Sequence, residues 1–251
     1  MPYPNPIDYR DPDYNAVWQW RIDKLAVARR DPGLLEAAKQ YYRENPVDLM
    51  QDWGVTFDPR MLDIGKSALI PFILFPKQIE WLQWVLECWT DRENGLSDKS
   101  RDMGLTWCAA GLMSALATSR PGFVAGFGSR KEDLVDKAGD PDAIFFKIRF
   151  FLQNLPPEFR AGWSPFDHKH SSHMRIMIPG TGAVIRGEGG KNIGRGGRAS
   201  IYFVDEAAHL DNPQAVETSL SATTNCRIDI SSVNGMNNPF AEKRHSGRVR
   251  V

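Results

Sequence analysis

The chain has 251 residues, 31 Lys plus Arg against 31 Asp plus Glu, and 42% hydrophobic residues. That length can bury one sizeable core, or one domain with a small appendage, and an apolar content this near the globular average excludes a largely disordered chain. A formal net charge of +0 excludes nucleic-acid binding through bulk charge, so any such contact must come from local basic clusters.

Cys88, Cys108 and Cys226 are widely spaced with no CxxC pair, which suggests neither a disulfide framework nor a zinc site. No apolar run approaches the roughly 20 residues of a membrane span. The start MPYPNPIDYR lacks the basic and apolar regions of a signal peptide. A soluble, cytoplasmic protein with no membrane partner is expected.

Pro2, Pro4, Pro6 and Pro12 keep the start extended, and helices are predicted over Tyr14 to Ala28 and Gly33 to Glu44. Residues 1–65 thus read as a helical appendage, a lid on a main domain over 66–251. From Phe72 onward, apolar runs rich in β-branched and aromatic residues alternate with helical ones. Ile79, Leu82, Val85, Leu86 and Trp89 recur at helical spacing after the Phe75-Pro76 break. A glycine turn at Gly104 leads to a helix from Trp107 to Ala117 and a strand from Phe123 to Phe127. The helix Asp142 to Leu155 stops at Pro156-Pro157, a hairpin-like pair covers Met174 to Ile178 and Ala183 to Arg186, and a glycine-rich loop runs from Gly187 to Gly197. Ile201 to Val204 reads as a buried strand ending in Asp205-Glu206, ahead of a helix from Pro213 to Ala222 and a strand from Arg227 to Ile230. Strands alternating with helices predict a mainly parallel sheet covered on both faces.

In such sheets ligands bind at the carboxyl ends of the strands. The stretch Lys99-Ser100-Arg101-Asp102-Met103-Gly104-Leu105-Thr106 has the tail of a phosphate-binding loop. Its backbone N–H groups and the following helix start can cradle phosphate oxygens, and the Thr106 hydroxyl can reach Mg²⁺. It is not a standard GxxxxGK[ST] loop, because Lys99 falls on the first glycine and Leu105 on the phosphate lysine. An ordinary loop before a helix would read the same way. In the second place, Val204-Asp205-Glu206, Asp205 would hold hydrated Mg²⁺ and Glu206 would orient and deprotonate an attacking water. Two acids at a helix N-terminus are the plain alternative. A third, Ser231-Ser232-Val233-Asn234-Gly235, is by itself a polar turn.

The first two motifs stand in the order of P-loop folds, with a strand-helix unit between them. With Phe75-Pro76-Lys77-Gln78, Lys99 to Trp107 (KSRDMGLTW), Ser129-Arg130-Lys131-Glu132-Asp133, Gly194-Arg195-Gly196-Gly197-Arg198, Tyr202 to Leu210 (YFVDEAAHL) and Ser231 to Phe240 (SSVNGMNNPF), they make residues 70–245 resemble a known family. That family is the large terminase subunits of tailed bacteriophages, specifically their N-terminal packaging ATPase. The resemblance implies an α/β P-loop NTPase of the RecA-like, ASCE type with an N-terminal helical appendage, acting with ATP and Mg²⁺ on double-stranded DNA. It also implies the portal protein and small terminase subunit as partners, and a homo-oligomeric ring when active, from a chain that is a monomer in isolation.

Residue by residue, the resemblance places Gln78 as the adenine reader, Lys99 to Trp107 around the phosphates, and Thr106 and Asp205 on the metal. Glu206 becomes the base. Lys99 or Arg101 replaces the lysine missing at Leu105, with Arg101 the better fixed of the two. Arg195, with Arg198 as runner-up, is the candidate finger reaching a neighbouring subunit's γ-phosphate. Two other readings of that loop stay open: Lys191, Arg195 and Arg198 on DNA phosphates, or a mobile surface loop too glycine-rich to be rigid. Ser232 and Asn234 match the family's coupling motif, which senses the γ-phosphate. The rival functions are a degenerate nucleotide-binding module without turnover and a helicase-like translocase.

Two departures stand out. Where the family has an apolar strand before the phosphate loop, this chain has the charged stretch Asp91 to Asp98. The family's second, RNase H-like nuclease domain has no counterpart up to Val251, and the chain ends as a basic strand, Arg248 to Val251, begins. It therefore reads as a fragment, an ATPase without DNA cleavage. His168, His170, His173 and His209 lack metal-binding spacing and receive no role, and Trp81, Trp84 and Trp89 read as core packing.

Overall fold

The computed structural model describes residues 7–251, so Pro2, Pro4 and Pro6 lie outside the described residues. Helices α1 (Tyr14–Arg30), α2 (Pro32–Glu44) and α3 (Pro46–Trp53) lead to a hairpin of β1 (Val55–Phe57) and β2 (Leu69–Pro71). Asp13 and Asp31 cap the first two helices by accepting from free backbone N–H groups, and Pro32 opens α2 where its missing donor costs nothing. Then come α4 (Pro76–Asp91), β3 (Gly95–Asp98), α5 (Leu105–Ser119), β4 (Val124–Ser129), α6 (Glu132–Val135) and α7 (Ile144–Asn154). The chain continues through β5 (Ser171–Ser172), β6 (Arg175–Ile178), β7 (Ala183–Gly189), β8 (Ile201–Asp205), α8 (Pro213–Ser221), β9 (Arg227–Ser231) and α9 (Pro239–Ser246).

Seven strands form one sheet in the order β3-β9-β8-β4-β7-β6-β5. The first five run parallel, and β6 and β5 add an antiparallel edge. This is the mainly parallel, helix-flanked sheet expected of a RecA-like P-loop fold. Alternation along β8 explains the two layers. Ile201 and Phe203 join the core under α5, whereas Tyr202 and Val204 face α8 on the other side. Phe203 stacks on Phe127 at 5.3 Å. Helix α5 is apolar on all sides and buried along nearly its whole length, as a central helix must be.

The charged stretch before the loop from Lys99 to Gly104 does form a strand. β3 is four residues long and pairs in parallel with β9, Asp98 opposite Ser231. Packing from neighbours replaces the missing strand formers. Trp84 of α4 lies so close over Gly95 that a Cβ there would sit 2.5 Å from the indole, so only glycine fits. Trp81 donates to the Ser97 hydroxyl at 2.7 Å, and Trp89 meets Phe123 edge-on at 5.4 Å. The tryptophans thus pack the core, as read from the sequence. On the outer side of β3 the backbone of Arg250 pairs with Gly95.

The proposed division at residue 65 does not coincide with a break in packing. Val47, Leu49, Met50 and Trp53 of α3 belong to the same apolar cluster as Leu112, Phe151 and Ile230. α1 is tied to α3 by Lys24, 2.6 Å from Asp52 and 4.5 Å above the Trp20 ring.

One buried ion pair fixes the turn after α6. Asp136 accepts two 2.7 Å hydrogen bonds from Arg149 and a third from the Met174 N–H. Burial alone would push this carboxyl up, but these donors and nearby His173 hold it below the usual carboxylate range. Its stabilising effect is therefore complete above the ordinary carboxylate pKa and lost as pH falls through the lower, folded value. Asp136→Ala is expected to cost about 3 kcal/mol near neutral pH, the low end for a buried pair because Arg149 is partly exposed. Urea unfolding across pH should show this gap constant from neutral to mildly acidic and closing below about pH 4. A gap independent of pH would reject the ion-pair explanation.

Candidate active site

Because β3, β9 and β8 are parallel neighbours, three loops leave the sheet at one edge. Register sets their heights: Asp98 lies opposite Ser231, and Asp205 opposite Ile230. Between the loops is a cleft of about 300 Å³. Lys99, Arg101 and Arg130 supply its cations, and Asp205 and Glu206 its carboxylates. His209, Ser231 and Ser232 complete the lining.

The loop from Lys99 to Gly104 begins bonded to the sheet, the Lys99 N–H donating to Ser231 at 2.9 Å. Asp102 and Gly104 both take left-handed φ values, +61° and +71°, which turn the chain into α5. The Thr106 hydroxyl in the first turn of α5 donates to Asp205 Oδ2 at 3.0 Å, joining residues 99 apart in sequence. Burial pushes the Asp205 carboxyl above its usual range, although the Thr106 bond and nearby Lys99 work against this. A buried carboxylate beside a hydroxyl suits a hard cation that keeps most of its ligands as water and phosphate oxygens. Among the described residues no group of three or more His, Cys, Asp or Glu forms an all-protein metal cage.

Glu206 adopts a left-handed backbone, φ +55°, which costs a side-chain-bearing residue roughly 1–2 kcal/mol. Its N–H donates to Asp205 Oδ1 at 3.0 Å, and its carboxylate is bound by Arg130 Nε at 2.6 Å. Arg130 follows directly on β4. In the sequence it stood out only as part of a matching segment, yet a basic residue at the carboxyl end of a buried strand is the available signal.

Other expected residues lie elsewhere. Gln78 braces the loop: its amide donates to the Met103 carbonyl and accepts from the Phe75 N–H, both at 3.0 Å. Reading a base would require breaking these bonds. Leu105 is buried in the main core, and Trp107 packs edge-on against Phe72 and Phe150 at 6.5 and 5.7 Å. Apolar demand at the start of α5 thus explains leucine where a phosphate loop has lysine. Ser100, Asp102 and Met103 are exposed on the loop. Ser232 lines the cleft, whereas Asn234 turns away to donate to the Ala208 carbonyl at 3.0 Å.

The glycine-rich loop is held, not slack. Glu188 accepts from the N–H groups of Gly194 and Gly196 and from the Tyr202 hydroxyl, and Ile193 is buried in the second core. Lys191, Arg195 and Arg198 are exposed on it, outside the cleft lining. His170 accepts from the Ser164 N–H at 3.1 Å, a structural use for one of the loop histidines.

The architecture and the cleft define a strand-end site of a mainly parallel α/β sheet, in which Asp205 and Glu206 face the loop from Lys99 to Gly104. Among solved structures, the HK97 bacteriophage large terminase matches at 15% identity and TM-score 0.57, over 83% of this chain and 43% of that one. The chain therefore spans less than half the length of that protein, whose fold it shares. The ATPase domain of a Thermus phage large terminase matches over 58% of this chain and 61% of that one, at 19% identity and TM-score 0.44. No protein-family profile and no curated protein matches the sequence. Among the described residues no helix is long and apolar enough to cross a membrane.

If Glu188 organises the glycine-rich loop, Glu188→Ala should raise hydrogen exchange at Gly194 and Gly196 by about tenfold or more, since each amide loses a charge-assisted bond. Amide exchange by mass spectrometry would show it; unchanged protection would mean that Ile193 alone anchors the loop.

Proposed function

We propose that this chain is the ATPase motor domain of a viral large terminase subunit, hydrolysing ATP with Mg²⁺ to drive double-stranded DNA into a procapsid. The supporting observation is the 3.0 Å bond between Thr106 and Asp205, which joins the two motifs at the carboxyl ends of parallel strands beside three cations. Backbone N–H groups at the start of α5, with Lys99 and Arg101, bind the phosphates. Thr106 and Asp205 would hold Mg²⁺, which when bound neutralises phosphate charge. Glu206 takes the proton of the attacking water. To do so it must turn from Arg130, whose Nε occupies one of its carboxylate oxygens at 2.6 Å. Arg195 from a neighbouring copy completes the site in a ring, the portal protein and small subunit being further partners.

A second reading, nucleotide binding without turnover, would draw on the Arg130–Glu206 pair and the buried Leu105, but the likeness to terminase structures does not favour it. DNA-stimulated hydrolysis at ring-promoting concentration separates the two. Under the motor reading the wild-type chain turns over, and Glu206→Gln loses roughly 10²–10⁴-fold in kcat while still binding nucleotide. Equal turnover by both would reject Glu206 as the base. Arg101→Ala should abolish turnover; near-normal activity in that variant would remove Arg101 from the phosphate site. Mixing Arg195→Ala with Glu206→Ala subunits should restore part of the activity, since each lacks a group the other supplies. No recovery on mixing would leave Arg195 to DNA or to the surface.

A further inference from the structure

We propose that His209 is a positioning residue for hydrolysis, carrying contact between the cleft and the loop 231–238 back to the backbone of Glu206. The inference rests on the ATPase reading above. It starts from a 3₁₀ turn, Ala207–His209, that follows Glu206 directly and is closed by the His209 N–H donating to the Glu206 carbonyl at 2.8 Å.

Three bonds join this turn to the end of β9 and the loop that follows it. The Ala208 N–H donates to Ser231 Oγ at 3.1 Å, and Asn234 donates to the Ala208 carbonyl at 3.0 Å. Both use the backbone of buried Ala208. The third is different in kind: His209 Nε2 lies 3.2 Å from the Ser232 hydroxyl, and both residues line the cleft. It is a side-chain contact that an anionic ligand can reach.

The chemistry of the pair gives it direction. A serine hydroxyl has one proton to donate and lone pairs to accept with, and an imidazole carrying its proton on Nε2 is a donor. When Ser232 donates to a phosphate oxygen, it can still accept from His209. The bonds then run in series, and bonds in series polarise one another. The series ends on a residue whose own N–H holds the Glu206 carbonyl. Glu206 sits in a left-handed conformation that the chain does not favour unaided, so its place depends on such outside support. Losing the imidazole should therefore affect the placement of the base more than the binding of nucleotide.

Substitutions separate this role from simple packing. His209→Phe keeps a ring and removes the donor, whereas His209→Gln keeps an amide N–H at nearly the same reach. At ring-promoting concentration with DNA, His209→Phe should lower kcat by roughly 10²-fold, the scale of a misplaced catalytic group. KM should change less than about twofold, and His209→Gln should recover most of kcat. Ser232→Ala should lower kcat similarly, and the double variant should be no worse than either single one, because both break one connection. Normal kcat in His209→Phe, a loss confined to KM, no recovery by Gln, or additive losses in the double variant would each overturn the proposal. Binding of a fluorescent ATP analogue reports folding, and if the Phe variant does not fold, the Gln and Ser232→Ala variants decide alone. Wild type and Glu206→Gln run alongside. If wild type hydrolyses nothing, the ATPase reading falls and this inference with it; if wild type turns over, Glu206→Gln does not and His209→Phe is normal, only this inference falls.

Discussion

Everything in the cleft depends on the parallel pairing of β3, β9 and β8. Without it the Thr106 hydroxyl and the Asp205 carboxylate, far apart in sequence, would not meet at 3.0 Å. The pairing is supported at its weakest strand by contacts that β3 does not make for itself: Trp84 over Gly95, Trp81 on Ser97, and the Arg244–Asp98 ion pair from α9. A four-residue strand carrying Ser and Asp has little intrinsic preference for the extended state. Its order comes from the helices packed on either side, so the loop from Lys99 to Gly104 inherits its position from tryptophans and α9 more than from its own residues.

This explains how much could be read from the sequence. Strands β4 and β8 announce themselves by apolar runs and β9 by alternation, and the helices between them by period and by proline stops, so the sheet type and the position of Asp205 and Glu206 were legible. β3 was not, because its stabilising partners lie elsewhere in the chain. Helix α3 was missed for a related reason: Pro46 to Trp53 is too short for its period to stand out, and its burial comes from α5, α2 and α4. The appendage therefore looked more separate in sequence than it is in space.

Within the candidate site, residues whose position is set by a strand end or helix start were legible, and residues whose contacts are set by a tertiary partner were not. Asp205, Glu206, Thr106, Lys99, Arg101 and Ser232 all reach the cleft region, since a strand end or helix start determines where they point. Gln78 and Asn234 have the right chemistry but satisfy backbone groups instead, a competition that sequence does not show. Arg130 and His209 are the converse. Both lie in segments that carry the resemblance but neither received a role, yet one holds the carboxylate of Glu206 and the other the turn behind it.

These two contacts bear on Glu206 from opposite ends. Arg130 bonds the carboxylate, which in the proposed role of a base would have to be released before accepting a proton; the His209 turn holds the backbone, which in that role would have to stay put while the side chain moves. A base that is both available and well aimed needs the first contact broken and the second kept. The geometry separates them: the Arg130 pair is exposed on both sides, where an ion pair is worth about 0–1 kcal/mol, whereas Ala208 behind the turn is buried and its N–H bond to Ser231 lies inside. The weak contact is thus the one that a competing anion can take over, since a phosphate in the cleft offers Arg130 the bidentate partner that a single carboxylate oxygen does not. Binding of the substrate's charge and freeing of the base would then be the same event, which accounts for a third cation in a cleft already holding Lys99 and Arg101.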